Sequence, residues 1–527
     1  MKKLIFLLSL GLVAGLSSCQ KSDFEESYAD PSKISTTTVE KQYAGFLSSN
    51  RDYVLPAYWN YFVILRTTIN HYTQAVGFAN ASNQYVPGFA GIDSYWGNYY
   101  SLLSQYRELQ KVYNQLSVQD QDLRRIYMIT ATIYLYDFTQ KLVDLHGDIP
   151  FSEAGMLSTN GGNYQISLPA YDNAASLYTK MLDDLKGFAD ELDAISISDG
   201  INAGFKNQDF INKGDLTKWK MYCNSLRIRL LARVSDVSEF QARVTSEAAA
   251  IMANPAKYPL VASNTQNIQI NVTDLNSPIN SKGFRTGLED WDGNIAGKVM
   301  IDHMKANNDP RLRAMFEPGV NAAGVYNGLN PMLTSSEQTD LIAGGTMSIY
   351  NRSTLSRNEY FPGVLITASE ISFLAAEAFL KNSDLTAAKA AYEDGIKKSI
   401  EFYYSLRSLS NDNTAGALTP VTPAEITGYL SSPAVSWSNA TTDDARLNLI
   451  AMQKWIHYSV VQPYENWSEL RRLDKPVLSF EVDNANAQTL PPYRWLYAGS
   501  ERTYNSRNYE TVTAQDKLTN KLFWDTH

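Results

Sequence analysis

The residues that could carry catalysis form no recognisable catalytic motif in this chain. The sequence contains no GxSxG, GxGxxG or GxxxxGK[ST] pattern, and its five histidines form neither HExxH nor a cysteine–histidine cluster. Glu465 and Glu469 lie four residues apart on a predicted helix, too close together to straddle a glycosidic bond as acid and base. The segment 290–294 (DWDGN) hints at a calcium loop, but Ile295 stands where an EF-hand needs glycine, and the twelfth position is not glutamate. We therefore expect a protein that is not an enzyme, and we assign no cofactor and no metal site.

Two segments combine aromatic rings with amide, carboxylate and guanidinium groups, which suits the binding of a sugar. A ring covers the C–H face of a sugar, and the polar groups bind its hydroxyls, although the same groups also suit a peptide. One segment is 58–100, which shows no continuous helical stripe, and the other runs from 284 to 292. For any single residue, the alternative is that its ring packs a loop against the scaffold. We expect Trp96 to be the main ligand platform, assisted by Tyr72, Tyr95, Arg285 and Trp291.

The bulk composition is that of a folded, acidic protein with many tyrosines. The net charge is −9, and no basic patch indicates a nucleic-acid partner. Aromatic residues make up 12% of the chain, with 33 tyrosines and 20 phenylalanines. Tyrosine suits surfaces that are partly apolar and partly wet, so this excess fits a ligand-gripping surface as well as large helix-packing seams.

The first nineteen residues have the pattern of a bacterial lipoprotein signal. Two lysines precede an apolar run at 4–16, which is too short to span a bilayer, and Leu16-Ser17-Ser18-Cys19 follows. This pattern predicts a signal peptide at 1–18, a lipidated Cys19 and a polar tether over 19–38. Several acyl chains on Cys19 would anchor a soluble body stably to a membrane. The alternative is an ordinary secreted protein with an incidental cysteine.

The elements that must position these residues are predicted to be mostly α-helical. Apolar residues recur at helical spacing over 123–145 and 216–234, and this stripe places Cys223 in a helix core. Residues 368–400 read as two helices joined by a turn at 381–384, which resembles a tetratricopeptide (TPR) pair. We predict a scaffold of TPR-like helix pairs over about 39–250 and 365–465. Loop-rich insertions over about 255–365 and 475–527 are too long to be plain connectors and are predicted to be functional loops or a small second lobe.

Several segments together resemble the SusD/RagB family of nutrient-binding outer-membrane lipoproteins, in its SusD-like branch. Each motif alone is weak, but their order and spacing extend over most of the chain. The segments are Leu142–Ala154 (LVDLHGDIPFSEA), Pro169–Asp172, Gly214–Leu231, Asn308–Leu312 (NDPRL), Gln453–Ile456 with Glu465–Arg472 and Pro476, and the run at 368–378.

The resemblance implies a mostly α-helical body with four TPR-like helix pairs as its scaffold and a loop-rich, ligand-binding half. It also implies that this body caps a SusC-like TonB-dependent transporter. Such a body captures oligosaccharide or peptide and acts as a lid, held at the outer membrane by its lipid and facing the cell exterior. Family members on the cell surface often carry acidic residues directly after the lipidated cysteine, whereas here Gln20, Lys21 and Ser22 come first. The alternatives are a TPR-type interaction scaffold without a small ligand and a surface glycosidase or peptidase.

Overall fold

Helices dominate residues 37–527, the range that the computed structural model describes. The predicted signal peptide, Cys19 and almost all of the predicted tether lie outside this range. The prediction of a mostly α-helical fold is confirmed, and no helix of the described range is long and apolar enough to cross a membrane.

The helices of the first half run in sequence order to residue 253. They are α1 Val39–Ser49, α2 Ile69–Tyr72, α3 Phe89–Asn114, α4 Val118–Leu123, α5 Arg125–His146, α6 Ala174–Ala194, α7 Asp199–Gln208, α8 Leu216–Arg233 and α9 Gln241–Ala253. A seven-residue π-helix, Trp59–Leu65, lies between α1 and α2.

The second half contains four short strands and the remaining helices. The strands are β1 Ile268–Ile270, β2 Phe316–Glu317, β3 Ile349–Tyr350 and β4 Gly363–Ile366, paired antiparallel as β1–β4 and β2–β3. The helices are α10 Phe284–Glu289, α11 Lys298–Ala306, α12 Leu312–Met315, α13 Ser335–Ala343, α14 Ala368–Lys381, α15 Leu385–Leu409, α16 Pro423–Leu430, α17 Asp443–Tyr458, α18 Pro463–Leu473, α19 Gly499–Tyr504 and α20 Ser506–Tyr509.

The helices α14 and α15 form the pair that the sequence predicts at 368–400. The carboxylate of Asp384 caps α15 by accepting a hydrogen bond from the backbone N–H of Ala387 at 2.9 Å. The two helices approach closely at Gly395, where an added Cβ would lie 2.6 Å from the Phe373 ring. A small residue at the crossing point is therefore required, as the helix-pair reading expects.

The core helices α5 and α8 follow their predicted stripes. Helix α5 ends at His146, and Gly147 with a φ of +82° turns the chain out of the helix, as the His-Gly-Asp-Ile-Pro sequence predicts. The thiol of Cys223 is buried in α8, where burial raises its pKa to about 12. Its Sγ donates to the carbonyl of Leu185 at 3.2 Å, so this cysteine is a packing residue.

A network of buried ion pairs joins α5, α8, α14, α17 and α18. Arg472 pairs with Glu377 and Glu469 at 2.7 Å each, and Lys454 contacts the same two carboxylates at 2.7 Å. Glu469 and Arg472 lie three residues apart on α18, so this pair lies along one side of the helix. The network also contains Asp137, Asp144, Arg229, Arg233, Glu370 and Glu465. Removing one member would leave its partner charged and buried, which is strongly unfavourable.

Candidate functional site

The π-helix Trp59–Leu65 presents one aromatic side to solvent and one apolar side to the core. Tyr61, Ile64 and Leu65 are buried, whereas Tyr58 and Trp59 are 39% and 48% exposed. Helix α3 begins directly against it, because Gly91 brings its backbone close to Val63 and Ile64. The π-helix is rare and occurs frequently at functional sites.

Helix α10 of the loop-rich insertion packs directly on this π-helix. An added Cβ at Gly283 would lie 2.9 Å from the backbone nitrogen of Tyr58, and one at Gly287 would lie 3.0 Å from the Cβ of Tyr61. Between the two glycines, Phe284 is fully buried, with its ring centroid 4.6 Å from that of Tyr61. The two glycines therefore permit the close approach, and Phe284 fixes the helix in place.

The residues that follow α10 project Trp291 into solvent. Arg357 donates to Glu289 at 2.8 Å and holds the end of the helix. Burial disfavours the charged form of Glu289, but hydrogen bonds from Arg357 and Ser356 outweigh it and lower its pKa below the ordinary value. Trp291 then adopts the left-handed conformation, with φ 56° and ψ 42°, and is 78% exposed. A bulky residue in this conformation is strained, and such strain clusters at functional sites.

Trp291 meets the π-helix in a continuous surface of rings. The Phe62 ring stacks on Tyr58 at 5.0 Å with an interplanar angle of 14°, and the Trp291 ring meets Phe62 edge-on at 5.7 Å. The guanidinium of Arg66 lies 4.7 Å from the Phe62 ring centroid and 5.4 Å from that of Trp291. We call these four residues, Tyr58, Phe62, Arg66 and Trp291, the Trp291 surface. Its exposed rings can stack on the apolar face of a flat ligand.

Trp59 adds a further exposed ring beside the Trp291 surface. Its indole Nε1 donates to the hydroxyl oxygen of Ser94 at 2.7 Å. The same hydroxyl lies 2.7 Å from the hydroxyl of Tyr53. Ser94, near the start of α3, therefore fixes the orientation of Trp59 while leaving its ring half exposed.

The structure corrects the prediction that Trp96 is the main ligand platform. Its ring is 2% exposed and packs against Tyr100, His146 and Tyr497 at centroid distances of 5.0, 4.9 and 5.9 Å. A ring without an exposed face cannot stack on a ligand. Trp96 is therefore a core residue.

Tyr95 and Tyr72, which were predicted to assist Trp96, are also core residues. They are 4% and 1% exposed, and their rings pack against Tyr464 at 4.8 Å and Trp467 at 5.7 Å. Tyr72 lies on α2, whose four residues are all buried. Tyr95 is buried because helix α3 starts at Phe89 and points one stripe of large side chains inwards. That stripe, which the sequence reading of 58–100 overlooked, consists of Ile92, Tyr95, Trp96, Tyr99, Leu102, Leu103 and Tyr106.

Of the predicted site residues, Trp291 and Arg285 lie at the surface and near one another in sequence. Trp291 belongs to the surface described above, and Arg285 is exposed on α10. Sequence reasoning missed Tyr58, Phe62 and Arg66, although it noted the aromatic density of their segment. Their spacing of four residues is the signal in the sequence, because residues at i, i+4 and i+8 lie along one side of a helix.

The structure adds two observations on the chemistry of the described residues. Within 37–527, no group of three or more His, Cys, Asp or Glu side chains is arranged to hold a metal ion. Glu465 and Glu469 are buried and pair with Arg233 at 2.6 and 2.8 Å, so both carboxylates serve the ion-pair network.

The comparison with known proteins agrees with this architecture. Residues 41–498 match the sequence model of the SusD-like family described as "Starch-binding associating with outer membrane". No curated protein matches the chain.

Solved structures of SusD-like proteins share the fold over almost the whole chain. A protein described as chitin-binding aligns over 92% of this chain and 100% of its own, with 21% identity and a TM-score of 0.73. A Bacteroidetes SusD-like protein aligns over 93% of this chain and 100% of its own, with 18% identity and a TM-score of 0.74. A chitin-binding SusD homologue from Flavobacterium johnsoniae aligns over 92% and 99%, with 23% identity and a TM-score of 0.69. By its sequence match and its fold, the chain belongs to the SusD-like family.

Proposed function

We propose that the chain is a nutrient-binding surface lipoprotein that captures an oligosaccharide and delivers it to a SusC-like TonB-dependent transporter, covering the transporter as a lid. The observation that carries the proposal is the Trp291 surface, where an indole that is 78% exposed stands beside two further rings. Such exposed rings suit the C–H face of a sugar. The starch and chitin in the descriptions of similar proteins support a glycan in preference to a peptide.

The binding proposal is tested by replacing Trp291. Titration calorimetry against a panel of neutral and acidic oligosaccharides identifies the ligand of the wild-type chain. Trp291→Ala should then weaken binding about tenfold or more, which corresponds to about 1.4 kcal/mol. The matched control is Tyr504→Ala, which removes a ring that is 68% exposed on α19 and should leave the affinity unchanged. Wild-type affinity in Trp291→Ala would remove the Trp291 surface from the proposal.

The proposed location is the outer membrane, with the lipid on Cys19 and the body facing the exterior. The Leu16-Ser17-Ser18-Cys19 pattern and the family description, which names association with the outer membrane, support this location. Cys19→Ala should release the body from the membrane or leave the precursor unprocessed. Unchanged fractionation of this variant with the outer membrane would contradict the lipid anchor.

The proposed partner is a large TonB-dependent barrel. Purification of the tagged protein in mild detergent should return such a barrel together with the lipoprotein. Recovery of the lipoprotein alone, from membranes that contain the barrel, would contradict the lid role.

A further inference from the structure

Arg66 differs from the other arginines of residues 37–527 that are not fully exposed. Each of the others donates to a carboxylate or a carbonyl oxygen. Arg66 is half-buried, its Nε is buried without a hydrogen-bond partner, and no carboxylate oxygen of the described range lies within 4.0 Å of its guanidinium. A guanidinium carries five N–H donors, and burying them without acceptors is unfavourable.

The position of Arg66 is fixed by the rings around it. Its guanidinium lies 4.7 Å from the centroid of Phe62, and its Cδ would lie 3.0 Å from a Cβ added at Gly293. Cation–π contact compensates part of the lost hydration, but it satisfies none of the in-plane N–H donors. Loss of hydration lowers the pKa of Arg66 from its ordinary value, and the group that opposes this shift is the hydroxyl of Tyr58 rather than a carboxylate. The terminal amino groups of Arg66, which are not buried as its Nε is, therefore remain available beside exposed rings.

The charged groups in the neighbouring segment add to this picture. Lys282 lies just before α10 and Arg285 lies on it; both are exposed, and neither forms an ion pair with a residue of the described range. Asp290 and Asp292 flank Trp291, and neither pairs with Arg66. Together with Arg66, the segment offers three cations against two carboxylates. The charges of this region that form no ion pair within the described range therefore sum to +1.

A cleft elsewhere in the molecule offers a comparison, because its polar side chains are hydrogen-bonded to one another. This cleft, of about 330 Å³, lies between α3, α5 and α6 and is also lined by rings and cations. There Tyr136 donates to Asp184, Tyr106 is hydrogen-bonded to Thr132 at 2.6 Å, and Arg125 pairs with Glu191 at 2.7 Å. Its polar groups already bind one another, whereas the guanidinium of Arg66 has no such partner among residues 37–527.

We propose that Arg66 binds an anionic group of the ligand, so that the captured glycan is an acidic oligosaccharide carrying uronate carboxylates or sulfate esters. This inference rests on the proposed function and on the same surface. A guanidinium binds a carboxylate or a sulfate through two parallel N–H···O bonds, and Trp291 at 5.4 Å covers the adjoining sugar face. The exposed rings favour a glycan over an acidic peptide, because stacking needs a flat apolar face next to the charge.

The experiment compares ligands with and without an anionic group, and one pair, oligogalacturonate and its methyl ester, differs mainly in charge. The full processed chain is titrated with oligogalacturonate, with its methyl ester, with sulfated carrageenan oligosaccharides that lack carboxylates, with neutral chito-oligosaccharides and with poly-glutamate. We expect binding of the free acid or of the sulfated sugar, and the two identify the anion. Arg66→Gln should weaken that binding about ten- to hundredfold and remove the preference over the methyl ester. Arg66→Lys keeps the charge and should restore part of the affinity.

Two controls separate recognition from folding. Arg507→Gln removes one charge from an exposed arginine on α20 and should leave every affinity unchanged. Thermal denaturation shows whether Arg66→Gln folds like the wild type, and the ratio of affinities for the free acid and the ester is a readout that a purely structural role would not alter.

The outcomes distinguish this inference from the proposed function. Preferential binding of neutral sugars that depends on Trp291 but not on Arg66 would overturn the anion inference and leave the proposed function intact. An equal loss of affinity for acid and ester in Arg66→Gln would reduce Arg66 to a support for the rings and also overturn the inference. Binding of poly-glutamate alone, or of no glycan at all, would overturn both proposals.

Discussion

Replacing Trp96 by alanine should lower the stability of the fold, whereas replacing Trp291 by alanine should weaken ligand binding. Trp96 is 2% exposed, and burying a tryptophan removes about 150–250 Å² from water, worth about 4–6 kcal/mol at about 25 cal/mol per Å². Measured Trp→Ala costs in cores are about 3–5 kcal/mol, so we expect Trp96→Ala to destabilise the fold by about 4 kcal/mol. Trp291 is 78% exposed, so Trp291→Ala should change the free energy of unfolding by less than about 1 kcal/mol.

The assay is urea denaturation followed by tryptophan fluorescence and circular dichroism, combined with titration of the ligand that the oligosaccharide panel identifies. At urea concentrations where both variants remain folded, Trp96→Ala should bind with wild-type affinity and Trp291→Ala should bind weakly. A Trp96→Ala variant with wild-type stability and lost binding would refute the assignment of Trp96 to the core. A Trp291→Ala variant that unfolds as readily as Trp96→Ala would refute the exposed platform.

Three further predictions concern strain, charge and reactivity. Trp291→Gly should be about 1 kcal/mol more stable than Trp291→Ala in denaturation, because glycine tolerates a φ of 56°; equal stability would show that the backbone is unstrained. Burial disfavours the charged form of Glu377, but Arg472 and Lys454 outweigh this effect and hold its pKa below 4.5. The ionised carboxylate therefore stabilises the fold fully above about pH 4.5, and this contribution is lost as the pH falls through the lowered pKa. Glu377→Gln should flatten that acid limb of an unfolding-versus-pH curve and cost about 3–5 kcal/mol at neutral pH, and a variant as stable as the wild type would contradict it. Cys223 should resist maleimide in the native protein, since burial raises its pKa to about 12, and rapid native labelling found by peptide mapping would contradict its burial.

Much of the fold follows from the sequence because its signals are local. Gly147 predicts the end of α5, and the capping residue Asp384 predicts the start of α15. Apolar stripes at helical spacing likewise determine which sides of α5 and α8 are buried. The ion-pair network is different, since the pair between Arg472 and Glu377 joins helices far apart in sequence and no pattern identifies the partners.

The candidate site was predictable only in part because it is made by a tertiary contact. The exposure of Trp291 fits its place in a predicted insertion, but its contact with Phe62 depends on how α10 packs on the π-helix. The aromatic density of residues 58–100 favours a binding role for Trp96. Its spacing of three and seven residues from Tyr99 and Leu103 instead indicates a buried helical stripe, which the structure shows. A large ring is equally compatible with a core and with a platform, and only the neighbouring elements decide between them.

The separation between the site and the core suggests how a SusD-like scaffold can present different ligand surfaces. None of the four residues of the Trp291 surface takes part in the ion-pair network, so changes at the surface leave the buried charges of α14 and α18 paired. The surface depends instead on Gly283 and Gly287, whose missing side chains let α10 approach the π-helix. A side chain at either glycine would push α10 away and separate Trp291 from Phe62 without breaking any ion pair of the buried network. We therefore expect the geometry of that one contact, rather than the stability of the body, to set how the exposed rings are presented to a ligand.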